Sequence, residues 1–189
     1  MHQATLMGQC AEGDAACSRK HPQAPLALGA HFHPEVSAEI AGTSTPNLHL
    51  DSAAPDVLAL EGDTFVAKKP GASAVLISTD DGSVVDFMLM WVSPVTSITL
   101  ARRDGERVSG TVGLAVGEDL TLVPALWNGA QQLAGESEAT WTLTGDAGFS
   151  VLRDGAADRR RLRARSPGKA TLTVAMGDAK TTLDVEVVP

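Results

Sequence analysis

The sequence predicts an all-β protein: two antiparallel two-sheet sandwiches in tandem, preceded by an irregular N-terminal arm. Three observations lead there. The phrase Lys69-Pro70-Gly71-Ala72-Ser73-Ala74-Val75-Leu76-Ile77 recurs 97 residues later as Ser166-Pro167-Gly168-Lys169-Ala170-Thr171-Leu172-Thr173-Val174. A repeat at that distance is the mark of a duplicated domain, since solenoid repeats recur every 20–50 residues or so. Short alternating runs, separated by Gly, Asp and Pro, fill most of the chain, and no long amphipathic helical pattern interrupts them. The alphabet is poor in aromatics, with no Tyr, four Phe and three Trp among 189 residues, which suits two small, lean cores.

Taken in order, residues 1–25 carry Pro22, Pro25 and several glycines and read as the arm. The first sandwich is expected over 26–93. Val36–Ile40 alternates, Asn47–Asp51 precedes the loop Ser52–Asp56, and Val57–Leu60 turns at Glu61-Gly62-Asp63 into Thr64–Ala67. The strands Ala72–Thr79 and Val84–Val92 close it around the turn Asp80-Asp81-Gly82-Ser83. The second sandwich is expected over 94–189, beyond a joint at Ser93-Pro94 that is too brief for a loose linker. It opens with Val95–Leu100 and continues through Gly117–Val123, Ala139–Leu143 and Phe149–Leu152. Arg161–Arg165, Lys169–Ala175 and Thr181–Val188 follow. In the last strand Leu183, Val185 and Val187 alternate with Asp184, Glu186 and Val188, which sets the former inward.

Several of these residues carry a resemblance. Ser97-Ile98-Thr99-Leu100, Trp141, Ala164, Pro167-Gly168, Ala170 and Val185-Glu186-Val187 are similar to the pattern of the bacterial immunoglobulin-like domains of group 2. Residues Ser52–Leu60, Ala67, Pro70-Gly71 and Ala74 supply the complementary half in the first unit. The first unit has Leu48 or Leu50 where the family's Trp would fall, and the second lacks the polar loop expected after Trp141. The resemblance implies two Ig-like β-sandwiches and a setting in exported bacterial proteins, as spacers or binding modules. It implies no catalytic residues.

The formal net charge of −8 argues against nucleic-acid or anionic-membrane partners. No run approaches the roughly 18 apolar residues of a membrane helix, so no integral membrane segment is expected. The first seven residues do not form a signal peptide, yet Cys10 and Cys17 bracket a polar loop that a disulfide would close. Together these point to an extracellular or cell-envelope protein whose signal is absent from this chain. The sharper alternative is a lipidated Cys10, since Leu6-Met7-Gly8-Gln9-Cys10 resembles a lipobox apart from Gln9.

Two constellations stand out as contact surfaces. In Arg161-Leu162-Arg163-Ala164-Arg165 alternation puts Leu162 and Ala164 on the core face and three guanidiniums on the other, with Arg159 and Arg160 extending the patch. Such a ladder grips carboxylates or phosphates. Alternatively it is a solvated face neutralised by acids on neighbouring strands, such as Asp184, Glu186 or Glu138. The stretch Phe87-Met88-Leu89-Met90-Trp91-Val92 is apolar on both faces. One face must line a core, and the other needs cover from the second domain or another chain. Phe87, Met88, Met90 and Trp91 are the candidates for that inter-domain or partner face.

Other groups read as structural. His31, His33, Glu35 and His49 could approach a metal but lack a strong third ligand, so no metal or other cofactor is expected. A Ser-His-Asp constellation and a Gly-rich phosphate loop are both missing from the sequence pattern. The expectation is a non-enzymatic structural or adhesive protein, with protein partners or self-assembly on the cell surface. Binding of an acidic polysaccharide is the alternative. Against it stands the scarcity of exposed aromatics for a sugar platform: Tyr is absent, and only Trp91 and Trp127 remain beside Trp141.

Overall fold

A computed structural model describes residues 2–8, 24–40 and 47–189. Among them every regular element is a strand, and no helix is long and apolar enough to cross a membrane. Two compact units emerge. The first comprises residues 1–94 together with Leu133–Glu136; the second comprises Val95–Gln132 and Ser137–Pro189.

The first unit contains β1 (His2–Gly8), β2 (Leu26–Ala27), β3 (His31–Phe32), β4 (Pro34–Ile40), β5 (Leu48–Ser52), β6 (Leu58–Glu61), β7 (Thr64–Ala67), β8 (Gly71–Thr79) and β9 (Val84–Ser93). A four-stranded sheet runs β2-β9-β8-β5, a three-stranded sheet runs β3-β7-β6, and β1 pairs with β4. Among the described strands of this unit, β2 alone lies parallel to its neighbour, β9. Phe65, Leu58, Val75 and Ile77 are fully buried, joined in one cluster by Met88, Met90, Val92 and Phe32. Period-2 geometry explains this core: in β9 Met88, Met90 and Val92 face in, so Phe87, Leu89 and Trp91 face out.

The second unit contains β10 (Ser97–Arg102), β11 (Arg107–Val108), β12 (Thr111–Ala115), β13 (Asp119–Asn128), β14 (Gln131–Gln132), β15 (Thr140–Gly145), β16 (Gly148–Asp154), β17 (Ala156–Ser166), β18 (Gly168–Met176) and β19 (Ala179–Val188). One sheet runs β11-β10-β13-β17-β16, with β14 on β13, and the other runs β12-β19-β18-β15. Here β12 is the parallel strand, on β19. The order β10-β13-β17-β16 against β15-β18-β19 is the ABED and CFG arrangement of a constant-type immunoglobulin sandwich. The same order, β5-β8-β9 with its parallel edge strand β2, recurs in the first unit. Leu120, Leu122 and Leu162 from one sheet meet Leu172, Val174, Leu183 and Val185 from the other; all are at most 1% exposed.

The repeated Pro-Gly phrase occupies the same structural position twice. Gly71 and Gly168 open β8 and β18 at φ +151° and +146°, a conformation that side chains rarely adopt. A Cβ on Gly168 would lie 2.8 Å from the backbone nitrogen of Ala147.

Two features depart from the sequence expectation. His2–Gly8, inside the segment expected to be irregular, pairs with Pro34–Ile40 in a ladder from His2↔Ile40 to Gly8↔Pro34. Pairing satisfies backbone groups that an irregular arm would leave to water. The first unit also recruits Leu133–Glu136 from far along the chain. Ala134 N–H donates to the Pro25 carbonyl (2.8 Å) and Ala27 N–H to the Ala134 carbonyl (2.9 Å). His31 and Glu136 exchange a pair of backbone bonds at 2.7 and 2.9 Å. Leu133 and Ala134 are buried, and Ala134 belongs to the first unit's core cluster. Cys10 and Cys17, and with them the expected disulfide, lie outside the described residues.

Candidate contact surfaces

β17 sits inside its sheet, with β13 on one side and β16 on the other. Leu162 (0%) and Ala164 (1%) fill the core, so Arg161, Arg163 and Arg165 project from the outer face about 6.8 Å apart along the strand. The acid that answers them is Asp119. It stands opposite Arg163 in the β13 register, with a carboxylate oxygen 3.9 Å from Arg163 Nε and the other 3.9 Å from Arg161 Nη1. These are long approaches of half-exposed groups, worth little in stability. Arg165 Nε donates to Ser150 Oγ on β16 (2.9 Å). Leu152, opposite Arg161 on β16, adds an exposed apolar side chain to the same face.

The other two arginines are placed differently. Arg159 holds the β16–β17 turn: its Nε donates to the Asp154 carbonyl (2.6 Å), with the Asp154 carboxylate 3.6 Å away. Arg160 has the parity of Leu162 and points inward, its guanidinium 5.9 Å from the centre of the Trp141 ring. Burial, with Arg153 nearby, lowers its pKa below the ordinary guanidinium value. The three acids expected to neutralise the ladder also sit elsewhere. Asp184 and Glu186 lie on β19, in the opposite sheet, while Glu138 pairs with Arg153. Asp119 lies far from the ladder in sequence, and only strand pairing brings it there.

The outer face of the β2-β9-β8-β5 sheet is the second surface. Phe87, Leu89 and Trp91 are 63%, 54% and 55% exposed in a row along β9. Beside them β8 presents Leu76, Ala74 and Ala72, in register with Phe87, Leu89 and Trp91. Asp51 on β5 stands opposite Leu76. Met88 (3%) and Met90 (2%) belong to the core, which removes them from any partner face; Leu89 takes their place. The sequence contained that correction, since alternation from buried Val92 assigns both methionines inward.

At the end of this face the β8–β9 turn is tightly bonded. Asp81 accepts from Thr79 Oγ1 (2.6 Å) and from Ser83 N–H (3.0 Å). Asp80 meets His49 Nε2 at 2.6 Å and accepts from Asn47 Nδ2 at 3.0 Å. Bonding to His49 and Asn47 lowers the Asp80 pKa, and bonding to Thr79 and Ser83 lowers that of Asp81. The other two histidines weighed as metal ligands have separate surroundings. His33 Nδ1 lies 3.0 Å from Thr64 Oγ1, and His31 is bound through its backbone to Glu136. Among the described residues no three His, Cys, Asp or Glu side chains gather as metal ligands.

A shallow hollow of about 460 Å³ lies on the second unit's other sheet, lined by Thr111, Thr144, Thr171, Lys169, Asp184 and Glu186 among others. Thr171 Oγ1 donates to Asp184 (2.7 Å), and Lys169 lies 3.6 Å from Glu186, so the charges are answered locally.

No protein-family model matches the chain, and no curated protein sequence matches it. Solved structures do. Domains 4 and 5 of the S-layer protein SbsC align over 99% of this chain and 98% of theirs, at 17% identity and TM-score 0.34. The Yersinia pseudotuberculosis adhesin InvE aligns at 10% identity and TM-score 0.38, over 98% of this chain and 59% of its own. The Escherichia coli adhesin FdeC aligns at 14% identity and TM-score 0.40, over 99% and 63%.

Proposed function

We propose that this chain is a non-enzymatic structural or adhesive subunit of a bacterial cell-surface or extracellular assembly, exported and joined to its neighbours by protein–protein contacts. The observation that carries the reading is the outward row Phe87, Leu89 and Trp91, each more than half exposed on a sheet face. Soluble domains rarely leave such a row bare, because it invites association. Covering these three half-exposed side chains would contribute on the order of 3–4 kcal/mol. A micromolar complex needs about 8 kcal/mol, so this row needs further contacts beside it, or many copies acting together. The arginine ladder Arg161, Arg163 and Arg165 is the proposed second contact. The resemblance of both units to group 2 bacterial Ig-like domains, as tandem copies, supports the same setting.

A second reading is favoured by one feature of the ladder. Three guanidiniums at even spacing, two of them 3.9 Å from the Asp119 carboxylate, would also suit the carboxylates of an acidic polysaccharide. Cross-linking of the native envelope through lysine, followed by mass spectrometry, separates the two. Reproducible links from Lys68, Lys69, Lys169 or Lys180 to this chain or to one other protein are expected. Their absence, with the protein retained on isolated surface polysaccharide, overturns the assembly reading in favour of the second.

A further inference from the structure

The charge of this chain is divided unequally. The first unit, with Leu133–Glu136, holds twelve acids against four lysines and arginines; the second holds eleven of each. The whole net charge of −8 therefore belongs to the first unit. Within the neutral second unit, the outer face of β17 carries Arg161, Arg163 and Arg165 in a row, the first two 3.9 Å from Asp119. The two exposed faces are thus complementary in kind. One offers Phe87, Leu89 and Trp91, with Asp51 and Asp80 toward the Phe87 end; the other offers guanidiniums flanked by Leu152.

We propose that these two faces are partners in successive copies of the chain: the β9 face of one copy docks on the β17 face of the next. This rests on the assembly reading above and names its contact. Guanidinium planes seat on exposed aromatic faces as well as on carboxylates, so Arg161 and Arg163 would find both ligand types on the β9 face. A second copy answers the apolar row and the cationic row together, whereas a polyanion answers only the cations. Because the two faces differ, the contact is heterologous. A copy engaged through one face still has the other for a further copy, so such contacts propagate into a ring where the rotation closes and an open chain where it does not.

The test uses the intact purified chain in sedimentation velocity, across protein concentration, at low ionic strength and at about 1 M salt, where charges are screened within about 3 Å. The wild type is expected to form a concentration-dependent series at low salt and to sediment as monomer at high salt. Arg161→Glu with Arg163→Glu is expected to leave monomer throughout, as is Asp51→Lys with Asp80→Lys. An equimolar mixture of these two variants restores complementary faces and is expected to recover the series. Phe87→Ser with Trp91→Ser changes only exposed side chains, keeps the fold available if the Asp80 pair matters to the turn, and is also expected to give monomer. Circular dichroism melting confirms that each variant is folded.

Monomeric wild type under all conditions overturns the proposal. So does a mixture that fails to associate, or a series that survives the arginine reversals. Retention on an acidic polysaccharide that depends on Arg161 and Arg163, without self-association, overturns it too. In none of these cases is the assembly reading lost if the envelope cross-links lead to a different protein.

Discussion

At residue scale Gly135 is constrained twice over, by its backbone angle and by its neighbours. Its φ of +97° lies in the left-handed region, and a Cβ there would stand 2.9 Å from Ala30 Cβ and 3.2 Å from both the His31 carbonyl oxygen and a Leu26 methyl. Gly62, at φ +69°, has nothing within 4 Å of the same built atom. Gly135→Ala is expected to destabilise the first unit by about 2–4 kcal/mol, from backbone strain plus overpacking. Gly62→Ala should cost only the strain, about 1–2 kcal/mol. Urea denaturation of the two variants checks the difference, and equal losses would mean that the Leu133–Glu136 contact adds no constraint. A second residue-scale prediction concerns acid. Asp80 and Asp81 have pKa values lowered by hydrogen bonds in the folded state. Their contribution is present above the ordinary carboxylate value of 3.8 and is lost as pH falls through the lowered folded value. Asp80→Asn should therefore lower stability at neutral pH and flatten the acid limb of the stability–pH curve, so that variant and wild type converge at low pH. An unchanged acid limb would show that the pair with His49 is inert.

At the scale of elements, alternation governs what each strand residue does. Leu162→Ala removes a fully buried side chain and is expected to cost about 2–5 kcal/mol, whereas Arg163→Ala next to it should stay within about 0.5 kcal/mol. Thermal or chemical melts of the pair decide it, and a comparable loss for Arg163→Ala would mean that its approach to Asp119 is a true structural bond. Much at this level was legible in the sequence. The duplicated Pro-Gly phrase gave two strand starts whose glycines share one unusual conformation, and Leu183, Val185 and Val187 lie inward as their spacing implied. What was not legible depends on pairing between distant segments. Nothing local in Leu133-Ala134-Gly135-Glu136 marks it as part of the first unit's core, because its strand-like bonds go to Pro25, Ala27 and His31. Asp119 could not be matched to the ladder before the β13–β17 register was known. Arg160 could have been separated from the ladder by parity alone, since it follows Leu162 and Ala164 inward to Trp141.

For the whole molecule, the two surfaces and the uneven charge bear on one function. Under the proposed assembly, the acidic unit with its exposed aromatic row meets the arginine face of the neutral unit on another copy. Such contacts weaken with salt, so material released from its native surface should leave in larger amounts as ionic strength rises, measured by immunoblot of the washes. Release that ignores salt would place the holding contacts elsewhere. The central claim, that the outward β9 row is covered in the working state, is tested most directly by hydroxyl-radical footprinting of the protein on its native surface and as dilute purified chain. The account predicts that Phe87, Leu89 and Trp91 are oxidised in the dilute chain and protected on the surface, with buried Met88 and Met90 slow in both. Equal oxidation of the row in the two states would contradict it.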